Sequence, residues 1–252
     1  MTTLIAVAHG SRDPRSARTV AAVVDRIRAR RPDLDVRVAF LDLTEPSVED
    51  VLDGIAAQHA AGSASAVLVP LLLGSAFHAR VDLPGILQAA RSRHPHLRLE
   101  QAEVLGDDRR LVTALRQRVF EAGVDAGDSD VGIAVAAVGS SDESANQRTR
   151  ALAERVVAGT SWKASVTCFA TGPTPGAADA LQQLTAVGAR TIVVAPWFLA
   201  PGRLTDRVFG VVEQLGTEVV EARVLGDHPL VADVVSSRYD AAVAALAHRR
   251  TA

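Results

Sequence analysis

The chain repeats itself once, at about half its length, and no other feature constrains its fold as strongly. Ile5-Ala-Val-Ala-His-Gly-Ser-Arg-Asp13 returns as Ala134-Val-Ala-Ala-Val-Gly-Ser-Ser-Asp142. Ala66-Val-Leu-Val-Pro-Leu-Leu-Leu73 returns as Ile192-Val-Val-Ala-Pro-Trp-Phe-Leu199, and Val104-Leu-Gly-Asp107 as Val224-Leu-Gly-Asp227. Three matches in the same order, at a period far above that of solenoid repeats, mark a duplicated domain. The Gly- and Asp-rich segment 122–130 lies between the copies and reads as the linker. The expected domains are therefore 1–124 and 129–252, and 252 residues are enough to give each its own core.

Within the first copy, strands and helices alternate. Residues 4–8 are an apolar run that ends at Gly10, as a buried strand does. Residues 14–31 place Ala17, Val20, Ala21, Val24 and Ile27 at helical spacing. Strands are then expected over 35–43, 66–73 and 98–104, and helices over 47–61, 83–93 and 107–122. The second copy repeats this order. Such alternation predicts an α/β fold: two tandem domains, each a parallel sheet flanked by helices, related by a pseudo-twofold axis with a cleft between them. Ligands of these folds bind beyond the carboxyl ends of the strands.

Composition removes several classes of function. With 27 Lys and Arg against 29 Asp and Glu, the chain has a formal charge of −2, which does not suit a nucleic-acid binder relying on bulk positive charge. The single cysteine, Cys168, excludes an intramolecular disulfide framework and a cysteine-built metal site within one chain. No apolar run is long enough to span a membrane, and the first residues do not form a signal peptide, so a cytoplasmic protein without a membrane partner is expected.

The carboxyl-edge rule sorts the seven histidines. His9 follows the first strand, His78 follows the third, and Asp42 ends the second, so all three are expected at one sheet edge. His59, His94, His96, His228 and His248 are expected to be solvated surface residues. In the second copy, Val138 aligns with His9, Leu204 with His78, and Phe169 falls about opposite Asp42. A need imposed by the scaffold would recur in both copies, so the polar trio is assigned to chemistry confined to the first half. Two imidazoles with a nearby carboxylate suit Fe²⁺, Co²⁺ or Ni²⁺, and imidazole also accepts protons near neutral pH. The segment from Gly10 and Ser11 through Arg12 to Pro14 precedes a helix. It reads as an anion cradle, helped by Arg12, Arg15 and Arg18, and as a helix cap by Ser11 or Asp13, and the two readings can hold together. A histidine phosphatase would carry arginine at position 8, which is alanine, and no Gly-x-Ser-x-Gly of a serine hydrolase is present.

These residues resemble a family. Ala8-His9-Gly10-Ser11-Arg12-Asp13-Pro14, Ala39-Phe40-Leu41-Asp42 with Pro46, and Pro70-Leu71-Leu72-Leu73-Gly74 followed by His78 are similar to the sirohydrochlorin chelatases of the class II chelatase group, in their long form with two fused domains. The resemblance covers essentially the whole chain. It implies insertion of Fe²⁺ into sirohydrochlorin to give sirohaem, without ATP and with no tightly bound cofactor. The alternative metal is Co²⁺, giving a cobalamin precursor, with Ni²⁺ accepted in vitro. It implies that His9 and His78 handle the metal. It also implies a carboxylate at position 42, where the family commonly has Glu and this chain has Asp, with Glu45 as a substitute. Sirohydrochlorin is rich in carboxylates, which makes Arg12 and Arg203 candidate binding residues beside Gly10 and Ser11. The expected partners are sirohydrochlorin and a divalent ion, and the expected assembly is a monomer. A carrier of tetrapyrrole or metal would use the same residues without turnover. A purely structural α/β partner would not need an edge that differs between the copies.

Overall fold

The computed structural model describes residues 2–59, 62–74, 81–215 and 219–248. The first half runs β1 (Thr2–Ala8), α1 (Pro14–Arg30), β2 (Val36–Phe40), α2 (Val48–Gln58), β3 (Ala64–Pro70), α3 (Leu83–Arg93), β4 (Leu97–Gln101) and α4 (Arg109–Glu121). The second half repeats it as β5 (Val131–Ala137), α5 (Glu143–Val157), β6 (Ala164–Phe169), α6 (Ala177–Ala186), β7 (Thr191–Pro196), α7 (Arg203–Gln214), β8 (Val219–Glu221) and α8 (Pro229–His248). Among the described residues all strand pairs are parallel, in two four-stranded sheets ordered β2-β1-β3-β4 and β6-β5-β7-β8. The predicted α/β class and the duplication are both present.

Local chemistry explains where the elements start. Asp13 caps α1, accepting from the Arg15 N–H at 2.9 Å, and Pro14 follows where its missing N–H costs nothing. Ser47 and Asp50 form a reciprocal capping box at α2. Asp108 and Asp142 cap α4 and α5 in the same way as Asp13. β1 and β5 lie inside their sheets with helices over both faces, and their near-unbroken apolar runs follow from that.

The compact units do not coincide with the repeat halves 1–124 and 129–252. One unit comprises 1–106 with 227–252, and the other 107–226. The last helix of each half is exchanged. α4 packs on α5 and β7, while α8 packs on α1, β3 and β4. The chain leaves each sheet through its Val-Leu-Gly-Asp turn, where Gly106 and Gly226 take positive φ. The apolar faces of the exchanged helices, Leu111 and Leu115 on α4 and Val231 and Val235 on α8, are fully buried. An arginine from each exchanged helix holds the turn of the unit it joins. The buried Arg118 donates Nη2–H to the Leu225 carbonyl at 2.9 Å. Arg238 donates to the carbonyls of Val104 at 3.0 Å and Leu105 at 3.2 Å. Periodicity identifies these helices but carries no information on which sheet receives their apolar faces.

Candidate functional site

The strand order of the first unit places its topological switch point between β1 and β3, because α1 and α2 leave toward opposite faces of the sheet. His9 is the first residue after β1 and is exposed at this carboxyl edge. Its main chain is joined to the loop after β2. The Leu41 N–H donates to the Ala8 carbonyl at 3.0 Å, and the Asp42 N–H to the His9 carbonyl at 2.9 Å. The two loops meet so closely that a Cβ on Gly10, whose φ is +95°, would lie 1.7 Å from the Asp42 carbonyl oxygen. Gly10 is therefore required by the backbone. β2 ends at Phe40, short of the expected residue 43, because the Phe40 N–H turns to the Pro46 carbonyl and Leu43 is left-handed with φ 58°.

The Asp42 carboxylate is exposed and accepts the Leu43 N–H at 2.8 Å. Leucine in the left-handed region costs about 1–2 kcal/mol. Leu43 nevertheless holds that conformation with its side chain 50% exposed. Thr44 closes the loop: its hydroxyl accepts the Ser11 N–H and donates to the Ser11 carbonyl, each at 3.0 Å. The next peptide bond, Glu45–Pro46, is cis. Glu45 is exposed, and its carboxylate accepts the Ser47 N–H at 3.1 Å, beside the α2 cap.

Of the two readings of 10–14, this geometry favours the helix start. The Asp13 N–H is held by the Ser11 hydroxyl, and the Arg15 N–H by Asp13. Arg15 also forms a forked ion pair with Asp13, with a shortest contact of 2.6 Å. The Arg15 guanidinium and amide bonds hold the Asp13 carboxyl at about 2, well below its ordinary value. Arg12 is exposed and remains a candidate for substrate carboxylates. Arg203 is exposed at the first position of α7, just beyond the carboxyl edge of the second sheet, where the helix dipole disfavours a cation.

The second copy closes its loops on the same plan. The Ala170 N–H donates to the Ala137 carbonyl, and the Thr171 N–H to the Val138 carbonyl at 3.0 Å. Gly139 has φ +91° and Gly172 has φ +78°. This ladder corrects one sequence alignment. The counterpart of Asp42 is Thr171, and Phe169 corresponds to the buried Phe40, its N–H held by Pro175 as Phe40's is by Pro46. Position 42 is therefore polar in both copies, and the contrast between the edges rests on His9 against Val138, which is 43% exposed. Leu204 is partly buried against the core of the second unit.

His78 lies outside the described residues. Among the described residues, no three His, Cys, Asp or Glu side chains form a metal-holding group, so the local candidates at the first edge are the His9 imidazole and the Asp42 carboxylate. His228 departs from expectation. It is buried, and its Nδ1 accepts the Leu230 N–H at 3.2 Å, capping α8 where the first copy uses Asp108. His59 and His248 are exposed, and His94 pairs with Asp53 at 2.7 Å. Cys168 is buried in β6, and burial pushes its thiol up to about 12. Among the described residues, no helix is long and apolar enough to cross a membrane.

The comparisons with known proteins follow the duplication. The family described as CbiX matches residues 3–122 and again 132–242. The sirohydrochlorin ferrochelatase of Priestia megaterium is 28% identical, covering 94% of this chain and 88% of that protein. The sirohydrochlorin cobaltochelatase of the same organism is 26% identical over 94% of this chain and 79% of that protein. The solved structure of SirB from Bacillus subtilis with Fe³⁺ superposes with a TM-score of 0.82 at 25% identity, covering 95% of this chain and 94% of that one.

Proposed function

The chain belongs to the CbiX family, and from that premise we infer that it is a sirohydrochlorin chelatase, a lyase that inserts Fe²⁺ into sirohydrochlorin to give sirohaem. The observation that carries this reading is the exposed His9 at the switch-point edge of a duplicated fold whose second copy has Val138 at the same place. The preference for iron follows the ferrochelatase relative, and the cobaltochelatase relative keeps Co²⁺ as the second reading. The metal is a substrate here, and no tightly bound cofactor is needed.

The chemistry asks little beyond what this edge offers. Metalation exchanges one divalent ion for two pyrrole N–H protons, while the ion gives up its waters to the macrocycle nitrogens. The His9 imidazole, exposed and anchored through its own carbonyl, can hold the ion by a ring nitrogen or accept a departing proton. In this reading His78 supplies the second imidazole and Asp42 a carboxylate that attracts the ion. Arg12 and Arg203, both exposed, serve as partners for the substrate carboxylates. The protein then acts in the cytoplasm as a single chain. Its formal charge of −2 does not suit a nucleic-acid binder relying on bulk positive charge.

Anaerobic assays with sirohydrochlorin and Fe²⁺ or Co²⁺ test the proposal by following the absorbance of the metallated product. Many turnovers per protein are expected, whereas a carrier stops at one equivalent. His9→Ala is expected to lose at least about 100-fold in rate with an unchanged circular dichroism spectrum, because the Val138 loop shows that this backbone needs no imidazole. A folded His9→Ala enzyme with near-normal rates would remove His9 from the mechanism.

A further inference from the structure

Leu43 is hard to account for as a structural residue. It is the described non-glycine residue with positive φ, at 58°, and its side chain is half exposed. Exposed apolar surface contributes little to folding, and a left-handed leucine works against it. The second copy resolves the same turn without that cost. Its closure matches bond for bond, with the Asp42 and Thr171 N–H groups on the His9 and Val138 carbonyls, and the residue that follows is Gly172, also left-handed at φ 78°. Glycine therefore suffices for this turn. The first copy keeps leucine only on the edge that carries His9, and the Asp42 carboxylate fixes its amide at 2.8 Å.

We propose that Leu43 is a substrate-positioning residue: from the turn beside His9 it presents an aliphatic side chain to the apolar face of the tetrapyrrole and sets the macrocycle against the imidazole. This rests on the chelatase reading above. A tetrapyrrole suits this residue because its ring face is broad and apolar while its charge lies in the peripheral carboxylates. A leucine contacts the face without competing for the metal. Apolar contact between ring face and side chain is also non-directional, so it tolerates the change in ring shape as the metal enters.

Three variants separate positioning from folding. Leu43→Asn keeps a residue tolerant of the left-handed region but removes the apolar group, and Leu43→Gly copies the second domain. Leu43→Met restores apolar bulk. Sirohydrochlorin binding is measured by absorbance titration without metal, and turnover is measured separately with Fe²⁺. Both Asn and Gly variants are expected to bind about tenfold more weakly, the size of a lost aliphatic contact. KM is expected to rise more than kcat falls, the melting temperatures of the Asn and Gly variants to equal or exceed that of the parent because the left-handed leucine is relieved, and Met to restore most of the affinity. Unchanged binding by Leu43→Asn and Leu43→Gly overturns the proposal, as does a loss of affinity that only tracks a large fall in melting temperature. If the parent protein binds sirohydrochlorin but never turns over, the chelatase reading fails while the binding arms still decide Leu43.

Discussion

The two carboxyl edges of this protein share one closure and differ in how they complete it. In the first unit, the N–H and carbonyl of Ser11 are both satisfied by the Thr44 hydroxyl at 3.0 Å. In the second, the matching groups of Ser140 are satisfied by the Asn146 amide, at 2.9 and 2.8 Å. Asn146 comes from α5, at a position held by Ala17 in α1, while Thr44 is replaced by Pro173. The same pair of backbone groups is thus served from different elements, the loop after β2 in one unit and α5 in the other. The contrast separates two kinds of divergence. Thr44 and Asn146 are exchangeable solutions to one scaffold requirement. His9 against Val138 and Leu43 against Gly172 are not, because the aliphatic and glycine versions already give the same backbone. Divergence that the scaffold does not require is where chemistry is expected.

That distinction can be broken experimentally. The largest effect is expected at the shared glycines. In Gly10→Ala the new Cβ meets the Asp42 carbonyl oxygen at 1.7 Å, and in Gly139→Ala it meets that of Thr171 at 2.1 Å. Neither obstacle is a flexible side chain, and both residues have positive φ, so each variant is expected to lose about 4 kcal/mol or more in denaturant unfolding. A mild Gly139→Ala would show that the second closure is not the rigid counterpart of the first.

A smaller effect, and a sharper one, is expected at the exchangeable pair. Thr44→Val leaves both Ser11 groups without their side-chain partner and is expected to cost about 1–2 kcal/mol. Adding Ala17→Asn to it supplies the amide that the second unit uses, and is expected to recover most of that loss in a double-mutant cycle. Strict additivity of the two substitutions would mean the loops do not share one solution.

The smallest effect concerns the α1 cap and depends on pH. The Asp13 carboxyl is lowered from an ordinary 3.8 to about 2, chiefly by its bond to the Arg15 guanidinium. A carboxylate with a depressed folded pKa stabilises fully above its unfolded value, and the contribution is lost as the pH falls through the folded one. The stability gap between the parent and Asp13→Asn is therefore expected to be constant above pH 5 and to close between about pH 4 and pH 2. A gap that persists at pH 2 would assign the role of Asp13 to its hydrogen bonds alone.

Much of this protein is legible along the chain. The duplication shows as self-similarity of the two halves, while the alternation of strands and helices, the start of α1 near Asp13 and the placement of His9 after the first strand rest on interactions within a few residues or on a period of two or 3.6. Sequence alignment sets Asp42 opposite Phe169. Its true counterpart, Thr171, is defined by ladder hydrogen bonds to residues 33 positions earlier, and an alignment does not contain those. His228 resembles a surface histidine in sequence and becomes a buried cap because its helix docks on the first sheet.

The sequence by itself determined the elements, their repeat and the chemical types gathered at one sheet edge, because each depends on local geometry and on which residues are apolar. Tertiary structure alone decided the rest. The exchange of α4 and α8 between the repeat halves follows from where an apolar helix face finds a matching sheet and where Arg118 and Arg238 find carbonyls. The left-handed turn that exposes Leu43 follows from two loops zipped together by main-chain bonds. Both are outcomes of non-local packing, in which many weak contacts far apart in the chain choose among local conformations that the sequence leaves open.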